Sequence, residues 1–197
     1  MLVQVLLSTG IIIMAYLLGR NFFSRREALV AAGLCAVDPH NLSLSVHLLS
    51  DTLFVFVFLS SIIVLMYGLK NKKVSLFFLS GILLGMATII RPVTQYFPIA
   101  GAVIILLYPE IKFILRSKAA VCFVLAFFVI VSPWMYRNYV LYNHFSLSTA
   151  KGFNLLKHHA AFTKAAITGE SVEQARREFA KEAQRKGVND SNPFYLG

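Results

Sequence analysis

Charge is scarce in this chain, and negative charge is the scarcest. Only 14% of its 197 residues are charged, and 9 acidic residues stand against 19 lysines and arginines. Soluble globular domains carry about 25% charged residues, so the composition excludes an ordinary soluble domain. Hydrophobic residues make up 57% of the chain, and the mean hydropathy is +0.68. The composition therefore predicts an all-α, polytopic transmembrane helical bundle.

Cysteine is also scarce, and its placement argues against metal and redox chemistry. Cys35 and Cys122 lie inside apolar runs, with no Cys-x-x-Cys or Cys/His spacing. We interpret both as small buried hydrophobes. His47 and Asp51 are four residues apart, but two ligands are too few to define a metal site. The sequence thus predicts no metal site and leaves the cofactor, a divalent metal included, undetermined.

The net charge of +10 would suggest nucleic-acid binding in a soluble protein. Here the basic residues gather in short loops beside apolar runs, where lysine and arginine set membrane topology. We define three basic clusters: Arg20, Arg25 and Arg26; Lys70, Lys72 and Lys73; and Lys112, Arg116 and Lys118. We therefore predict no nucleic-acid partner and place the three basic clusters on the cytoplasmic side.

Apolar runs follow one another along the first part of the chain. They are Leu2–Gly19, Ala28–Val37, Thr52–Leu69, Val74–Ile90, Val93–Tyr108 and Ala119–Val131. A span takes about 20 residues, so Ala28–Val37 taken alone fits a re-entrant segment. If it crosses, all three basic clusters face the cytoplasm, and Arg91 and Arg137 remain in the short outer loops. We therefore predict about six spans.

The composition changes near residue 140. Residues 1–140 form the predicted transmembrane helical core, and residues 141–197 form a predicted extracytoplasmic soluble segment. Within this segment the apolar spacing predicts a helix near Val172–Lys186, with Ala175 and Phe179 on one side.

Two further patterns bear on packing and depth. Gly81 and Gly85 have the GxxxG spacing, which favours close helix packing. Trp134, Tyr136, Tyr139 and Tyr142 follow the last apolar run and predict an interfacial aromatic belt. This belt would place Arg137 near the outer headgroups.

A polar interval from Asp38 to Asp51 interrupts the apolar runs. Leu42, Val46 and Leu49 recur at helical spacing, while His40, Ser43, His47 and Asp51 fall on another face. This pattern is typical of an amphipathic helix lying in the membrane interface. An acid at bilayer depth costs about 2.5–3.5 kcal/mol, so we expect this interval to lie at the outer surface.

Four motifs in this order resemble a known family. They are Ser50-Asp51 at the head of a span, Gly81 through Arg91-Pro92, Pro133-Trp134-Met135-Tyr136-Arg137-Asn138, and Ser148-Thr149-Ala150-Lys151-Gly152-Phe153-Asn154-Leu155. Together they resemble bacterial members of the protein O-mannosyltransferase and aminoarabinose transferase group, which are GT-C membrane glycosyltransferases similar to glycosyltransferase family 39. The resemblance covers nearly the whole chain.

The resemblance implies transfer of a sugar from a polyprenyl-phosphate donor to a lipid, glycan or protein acceptor, on the extracytoplasmic face of a bacterial inner membrane. A leaving lipid phosphate calls for guanidinium groups at headgroup depth. Arg91 and Arg137, with Asn138, are therefore the predicted phosphate-binding residues. The acceptor needs a general base, and Asp51, with His47 one turn before it, is the predicted catalytic pair.

Structural alternatives stand beside each of these assignments. Asp51 also fits a helix N-cap, and Asp38 before Pro39 fits a turn residue. Arg91 and Arg137 also fit side chains that reach out to the phosphates of bulk lipid. At the level of function, the alternative is a non-catalytic membrane subunit that binds or translocates a lipid phosphate carrier.

The chain also departs from the family that it resembles. Similar proteins begin with a further transmembrane helix and a long outer loop that carries an acidic pair, usually assigned as the catalytic base. Asp51 matches a second acidic position and not that pair. We therefore expect the chain to be a fragment of a longer enzyme and to be inactive alone.

Overall fold

A computed structural model describes residues 2–37, 50–143, 145–148 and 160–185, and in these ranges every regular element is helical. The helices are α1 (Leu2–Phe22), α2 (Arg25–Val37), α3 (Ser50–Asn71), α4 (Val74–Ile90), α5 (Phe97–Leu107), α6 (Phe113–Tyr142), α7 (Ala161–Thr168) and α8 (Val172–Arg185). A 3₁₀ turn at Pro92–Thr94 precedes α5. The predicted all-α class is confirmed.

Three of the described helices, α1, α3 and α6, are long and apolar enough to cross a membrane. They contain 21, 22 and 30 residues, against the roughly 20 that a bilayer requires. The fold is therefore a helical membrane bundle. The helices α2, α4 and α5 are shorter, with 13, 17 and 11 residues, and their crossing stays a prediction.

Two predicted runs have different bounds in the structure. The run Val93–Tyr108 becomes a 3₁₀ turn followed by α5, because Pro92 and Pro98 each fit the start of a helical element better than its interior. The run Ala119–Val131 becomes the longer α6, which continues through Pro133 to Tyr142. Proline removes one backbone hydrogen bond, and a helix can kink there and continue.

The chain divides into two compact units between Ser132 and Pro133. The sequence placed the boundary near residue 140, and the assignment of the two parts to the membrane and to its outer side stays a prediction. The predicted interfacial helix after Asp38, including His40 and His47, lies outside the described residues.

A reciprocal capping box connects α1 to α2 in the first unit. The Ser24 backbone N–H donates to Glu27 Oε2 over 2.8 Å, and the Glu27 N–H donates to Ser24 Oγ over 3.4 Å. These contacts with the Ser24 backbone and side chain lower the pKa of the Glu27 carboxyl. Because the capping box starts α2 directly after α1, α2 folds back and buries Ala28 beside Gly19.

The helices α3 and α4 form a hairpin through the two-residue turn Lys72-Lys73. Lys72 has a left-handed φ of 56°, which lets the chain reverse its direction within the two-residue turn. Along the hairpin, Ser61 Oγ donates to the Ser80 carbonyl and Ser80 Oγ donates to the Ser61 carbonyl, each over 2.9 Å. Both serines are buried, so this reciprocal pair satisfies its hydroxyl donors where no water competes.

Glycines bring α4 against α6. A Cβ at Gly81 would overlap the carbonyl oxygen of Phe123, and a Cβ at Gly85 would lie 2.8 Å from the Cβ of Ile130. A real side chain at either position would be too close to α6, so the close approach of α4 to α6 depends on glycine. The packing role predicted for the GxxxG spacing is confirmed.

The second unit contains a helical hairpin formed by α7 and α8. Gly169 ends α7 with a φ of 72°, and Ser171 with Gln174 forms a second capping box at the start of α8. Lys164 pairs with Glu178 across the hairpin, and this hydrogen bond and charge lower the pKa of the Glu178 carboxyl. The helix predicted at Val172–Lys186 is confirmed as Val172–Arg185.

Candidate functional site

The closed end of the α3–α4 hairpin lies at Lys72-Lys73, and at its open end Asp51 pairs with Arg91. Asp51 is the second residue of α3, and Arg91 is the first residue after α4. The two helices are antiparallel, so these positions meet, and Arg91 Nη2 contacts Asp51 Oδ1. The structure therefore joins the predicted catalytic acid to one of the predicted phosphate-binding arginines.

Pro92 explains why Arg91 points away from α4. A residue before proline is driven out of the helical region, and Arg91 is extended, with φ −140° and ψ 116°. Its backbone N–H still donates to the Ala87 carbonyl over 2.9 Å. The helix thus keeps its last hydrogen bond while the guanidinium turns toward the start of α3.

A buried pair of threonines supports this turn. Thr88 Oγ1 lies 2.8 Å from the Leu84 carbonyl and 2.9 Å from Thr94 Oγ1. Since the Thr88 hydroxyl donates its proton to the Leu84 carbonyl, the Thr94 hydroxyl donates to Thr88 Oγ1. Both side chains are fully shielded from solvent. The contact joins the last turn of α4 to the 3₁₀ turn on either side of Arg91, which restricts where the arginine can lie.

The ion pair is only partly shielded from solvent. The side chain of Asp51 is 28% exposed and that of Arg91 is 49% exposed. Oδ1 of Asp51 is itself closed off, so the accessible part of this side chain lies on its other atoms. Asp51 lies inside the first turn of α3, where its negative charge also interacts favourably with the positive end of the helix dipole. Beside it, Thr52 Oγ1 is buried with no hydrogen-bond partner among the residues that the structure describes.

The second predicted arginine lies in the other unit, near the end of α6. The Arg137 guanidinium lies 4.9 Å from the centre of the Trp134 ring, within the range of a cation–π contact. Its Nη1 also donates to Asn138 Oδ1 over 3.3 Å. The planar guanidinium is thus held on one face by an indole ring and at one edge by an amide.

Asn138 is almost completely buried, with 3% of its surface exposed. Its Oδ1 accepts from Arg137, and its Nδ2 donates to the Ser146 carbonyl over 2.8 Å. Trp134 Nε1 donates to the Leu147 carbonyl over 3.2 Å. Both ends of the Asn138 amide are therefore used within the protein, and segment 145–148 is tied to the last turns of α6.

The model of the dolichyl-phosphate-mannose-protein mannosyltransferase family matches residues 1–136 of this chain. The chain belongs to this family. It is a membrane glycosyltransferase of the GT-C type. No curated protein and no solved structure matches the chain. The region that matches the mannosyltransferase family includes Asp51 and Arg91 and ends one residue before Arg137.

Metal ligands do not come together in the described part of this mannosyltransferase-family chain. Among those residues there is no group of three or more His, Cys, Asp or Glu side chains that could hold a metal ion. His47, predicted to assist Asp51, lies outside the described residues.

Sequence reasoning missed the contact between Asp51 and Arg91. It assigned the two residues to separate tasks, the acid to base catalysis and the arginine to phosphate. The sequence did contain a signal for this contact, because Asp51 and Arg91 lie at comparable distances along the chain from the Lys72-Lys73 turn. Helices of similar length on either side of a tight turn bring such positions together.

Proposed function

We propose that this chain is a multi-pass protein of the bacterial inner membrane that transfers a sugar from a polyprenyl-phosphate donor to a lipid, glycan or protein acceptor on the extracytoplasmic face. The single observation that carries the proposal is the contact between Asp51 and Arg91, within the region that matches the mannosyltransferase family. It puts a carboxylate beside a guanidinium, which are the two groups that the reaction requires.

The proposed reaction uses the two groups in one step. The bond between the sugar's anomeric carbon and the phosphate oxygen breaks, and the phosphate leaves with the bonding electrons. The acceptor's nucleophilic atom bonds to the anomeric carbon and gives its proton to Asp51, assisted by His47. Arg91 stabilises the negative charge that collects on the polyprenyl phosphate.

The paired state of Arg91 is compatible with phosphate binding. A guanidinium has five N–H donors in a planar fork, so one edge can stay on Asp51 while the other meets a phosphate oxygen. Its 49% exposure leaves that second edge within reach of a ligand. Exposed ion pairs typically contribute about 0.2–1 kcal/mol, so exchanging part of this partly exposed pair for a phosphate contact costs little.

Arg137 is proposed as a second phosphate ligand, with Asn138 acting through it. Both polar ends of the Asn138 amide are used inside the protein, which supports a positioning role. The stacking of Arg137 on Trp134 orients the guanidinium plane before the donor arrives.

The test measures sugar transfer and donor binding separately. The purified chain, both alone and joined to the upstream helix and acidic outer loop of a family member, would receive radiolabelled polyprenyl-phosphate mannose in proteoliposomes, with native membranes as the source of acceptor. In the joined chain we expect Asp51→Asn to lower transfer by about 10²–10⁴ while donor binding survives, because it removes a base and no phosphate ligand. Arg91→Ala should weaken donor binding as well as transfer.

Glu170→Gln is the matched control, since it removes an exposed acid from the second unit and should change neither quantity. If Asp51→Asn transferred sugar at the unaltered rate, Asp51 would not be the base. If the unaltered chain bound the donor without any transfer, and joining the upstream helix and acidic outer loop of a family member restored none, the non-catalytic alternative, a subunit that binds the lipid phosphate carrier, would replace the proposal.

A further inference from the structure

A cavity of about 810 Å³ opens in the first unit, far from the Asp51–Arg91 pair. It lies between the C-terminal parts of α1, α3 and α5. Apolar side chains from all three helices line it, among them Leu18, Phe22, Met66 and Ile104. Its volume falls within the range of roughly 300–1,000 Å³ typical of small-ligand sites.

One end of this cavity is polar and basic. Asn21, Lys70 and Tyr108 complete its lining. Asn21 Nδ2 donates to the Leu17 carbonyl over 2.7 Å, and the Tyr108 hydroxyl donates to Glu110 Oε2 over 3.2 Å. Lys70 therefore supplies the cationic group of the lining.

The surrounding loops carry strong positive charge. All three basic clusters lie at this end of α1, α3 and α5. The same loops contain two acidic residues, Glu27 and Glu110, which offset part of this positive charge. Glu27 is engaged by its capping box with Ser24, and Glu110 accepts from Tyr108. An apolar cavity with a cationic mouth is complementary to an amphiphile with a negatively charged head.

The loop charges predict that the cavity and the candidate catalytic end face opposite sides of a bilayer. Asp51 and Lys70 lie at opposite ends of α3, separated by roughly 28 Å at 1.5 Å per residue. This length is close to the hydrocarbon thickness of a membrane. A ligand at Lys70 therefore lies in the leaflet away from Asp51.

We propose that this cavity binds an anionic glycerophospholipid of the cytoplasmic leaflet, with an acyl chain between α1, α3 and α5 and the phosphate at Lys70. Basic pockets between transmembrane helices on the cytoplasmic side select such headgroups. A polyprenyl phosphate offers similar chemistry, but its proposed reaction takes place at the other face. The lipid site does not depend on the proposed reaction, and it would fasten the ends of three helices to one another.

Fluorescence quenching tests the site in the full chain. Trp134 is the single tryptophan, so a Trp134→Phe background allows one reporter at Met66→Trp and, independently, one at Ile104→Trp. Bilayers would contain acyl-brominated phosphatidylglycerol or acyl-brominated phosphatidylcholine in matched amounts. Comparing headgroups at one bromine depth cancels any difference in how deep the reporters lie.

We expect both reporters to be quenched more strongly by the anionic lipid. Lys70→Gln should reduce that preference by about fivefold, the value of one lysine at an anionic lipid surface. The control reporter, Leu125→Trp on the exposed surface of α6, should show no headgroup preference. Reporter variants are compared only after each shows the helix content of the unaltered chain.

Three outcomes would overturn the proposal. Equal quenching by both lipids would mean that the cavity does not select charge. Protection of both reporters from both lipids would mean that protein covers it, a second copy or another helix. Displacement of the brominated phosphatidylglycerol by stoichiometric polyprenyl phosphate would make the cavity a carrier site. None of these outcomes bears on whether Asp51 is a catalytic base.

Discussion

At the scale of single residues, the two candidate phosphate-binding arginines are held by different kinds of contact. Arg91 is held by a carboxylate, and Arg137 by the face of an indole ring and the oxygen of an amide. Both arrangements use the planarity of guanidinium, which can stack and donate hydrogen bonds at the same time. A lysine ammonium carries the same charge without this geometry.

Replacing Arg137 by Lys should therefore weaken donor affinity by about tenfold, since the cation–π and fork contacts together are worth about 1–2 kcal/mol. Binding of polyprenyl-phosphate mannose to the purified chain measures this effect. Arg177→Lys, at an exposed position of α8, makes the same exchange elsewhere and should leave affinity unchanged. Equal affinities for Arg137→Lys and the unaltered chain would show that Arg137 does not contact the donor.

At the scale of helices, α4 packs closely against two other helices. It meets α3 through the buried Ser61–Ser80 pair and meets α6 through Gly81 and Gly85. Serine hydroxyls and the absence of side chains let the backbones approach closely, which matters in a membrane because burial of apolar surface from water does not drive helix association there. The position of Arg91 at the end of α4 depends on this packing.

Gly81→Ala should lower the free energy of unfolding by about 1–3 kcal/mol, because the new methyl group overlaps the backbone of Phe123. The matched control is Gly33→Ala, whose Cβ would meet nothing within 4 Å and which should be neutral or stabilising by up to about 1 kcal/mol. Thermal unfolding in detergent, followed by helical circular dichroism, compares the two. A Gly81→Ala protein as stable as the Gly33→Ala protein would contradict close packing of α4 on α6.

At the scale of the whole molecule, the loop charges predict which side of the membrane each part faces. The three basic clusters lie in loops that share one side if α2, α4 and α5 cross the bilayer. Helices this short can cross where neighbouring helices and a thinner local bilayer accommodate them. The same arrangement would put Asp51 and residues 141–197 on the outer side.

Cysteine labelling in intact cells measures this topology. After Cys35 and Cys122 are replaced by alanine, Ser45→Cys and Ser171→Cys should react with an impermeant thiol reagent, and Asn71→Cys should react only after the cells are opened. Reaction at Asn71→Cys in intact cells, with none at Ser171→Cys, would reverse the predicted orientation and move the proposed reaction to the cytoplasmic face.

The class of fold and the local structural motifs could be predicted from the amino-acid sequence alone. Low charge and long apolar runs require helices in a membrane, because each helix satisfies its own backbone hydrogen bonds. The GxxxG spacing and the helix at residues 172–185 were also readable, since they depend on neighbours a few positions away. The same local logic placed the start of α3 beside Asp51.

The contacts of the polar residues, in contrast, could be read only from the three-dimensional arrangement of the helices. Asp51 and Arg91 are 40 positions apart, and their pairing needs the hairpin turn at Lys72 and the exit of the chain from α4 at Pro92. The continuation of α6 through Pro133 was equally hidden, because a proline is compatible with a kinked helix as well as with a helix end. Composition and spacing describe what each segment can form, whereas a contact between distant side chains depends on the relative position of whole helices.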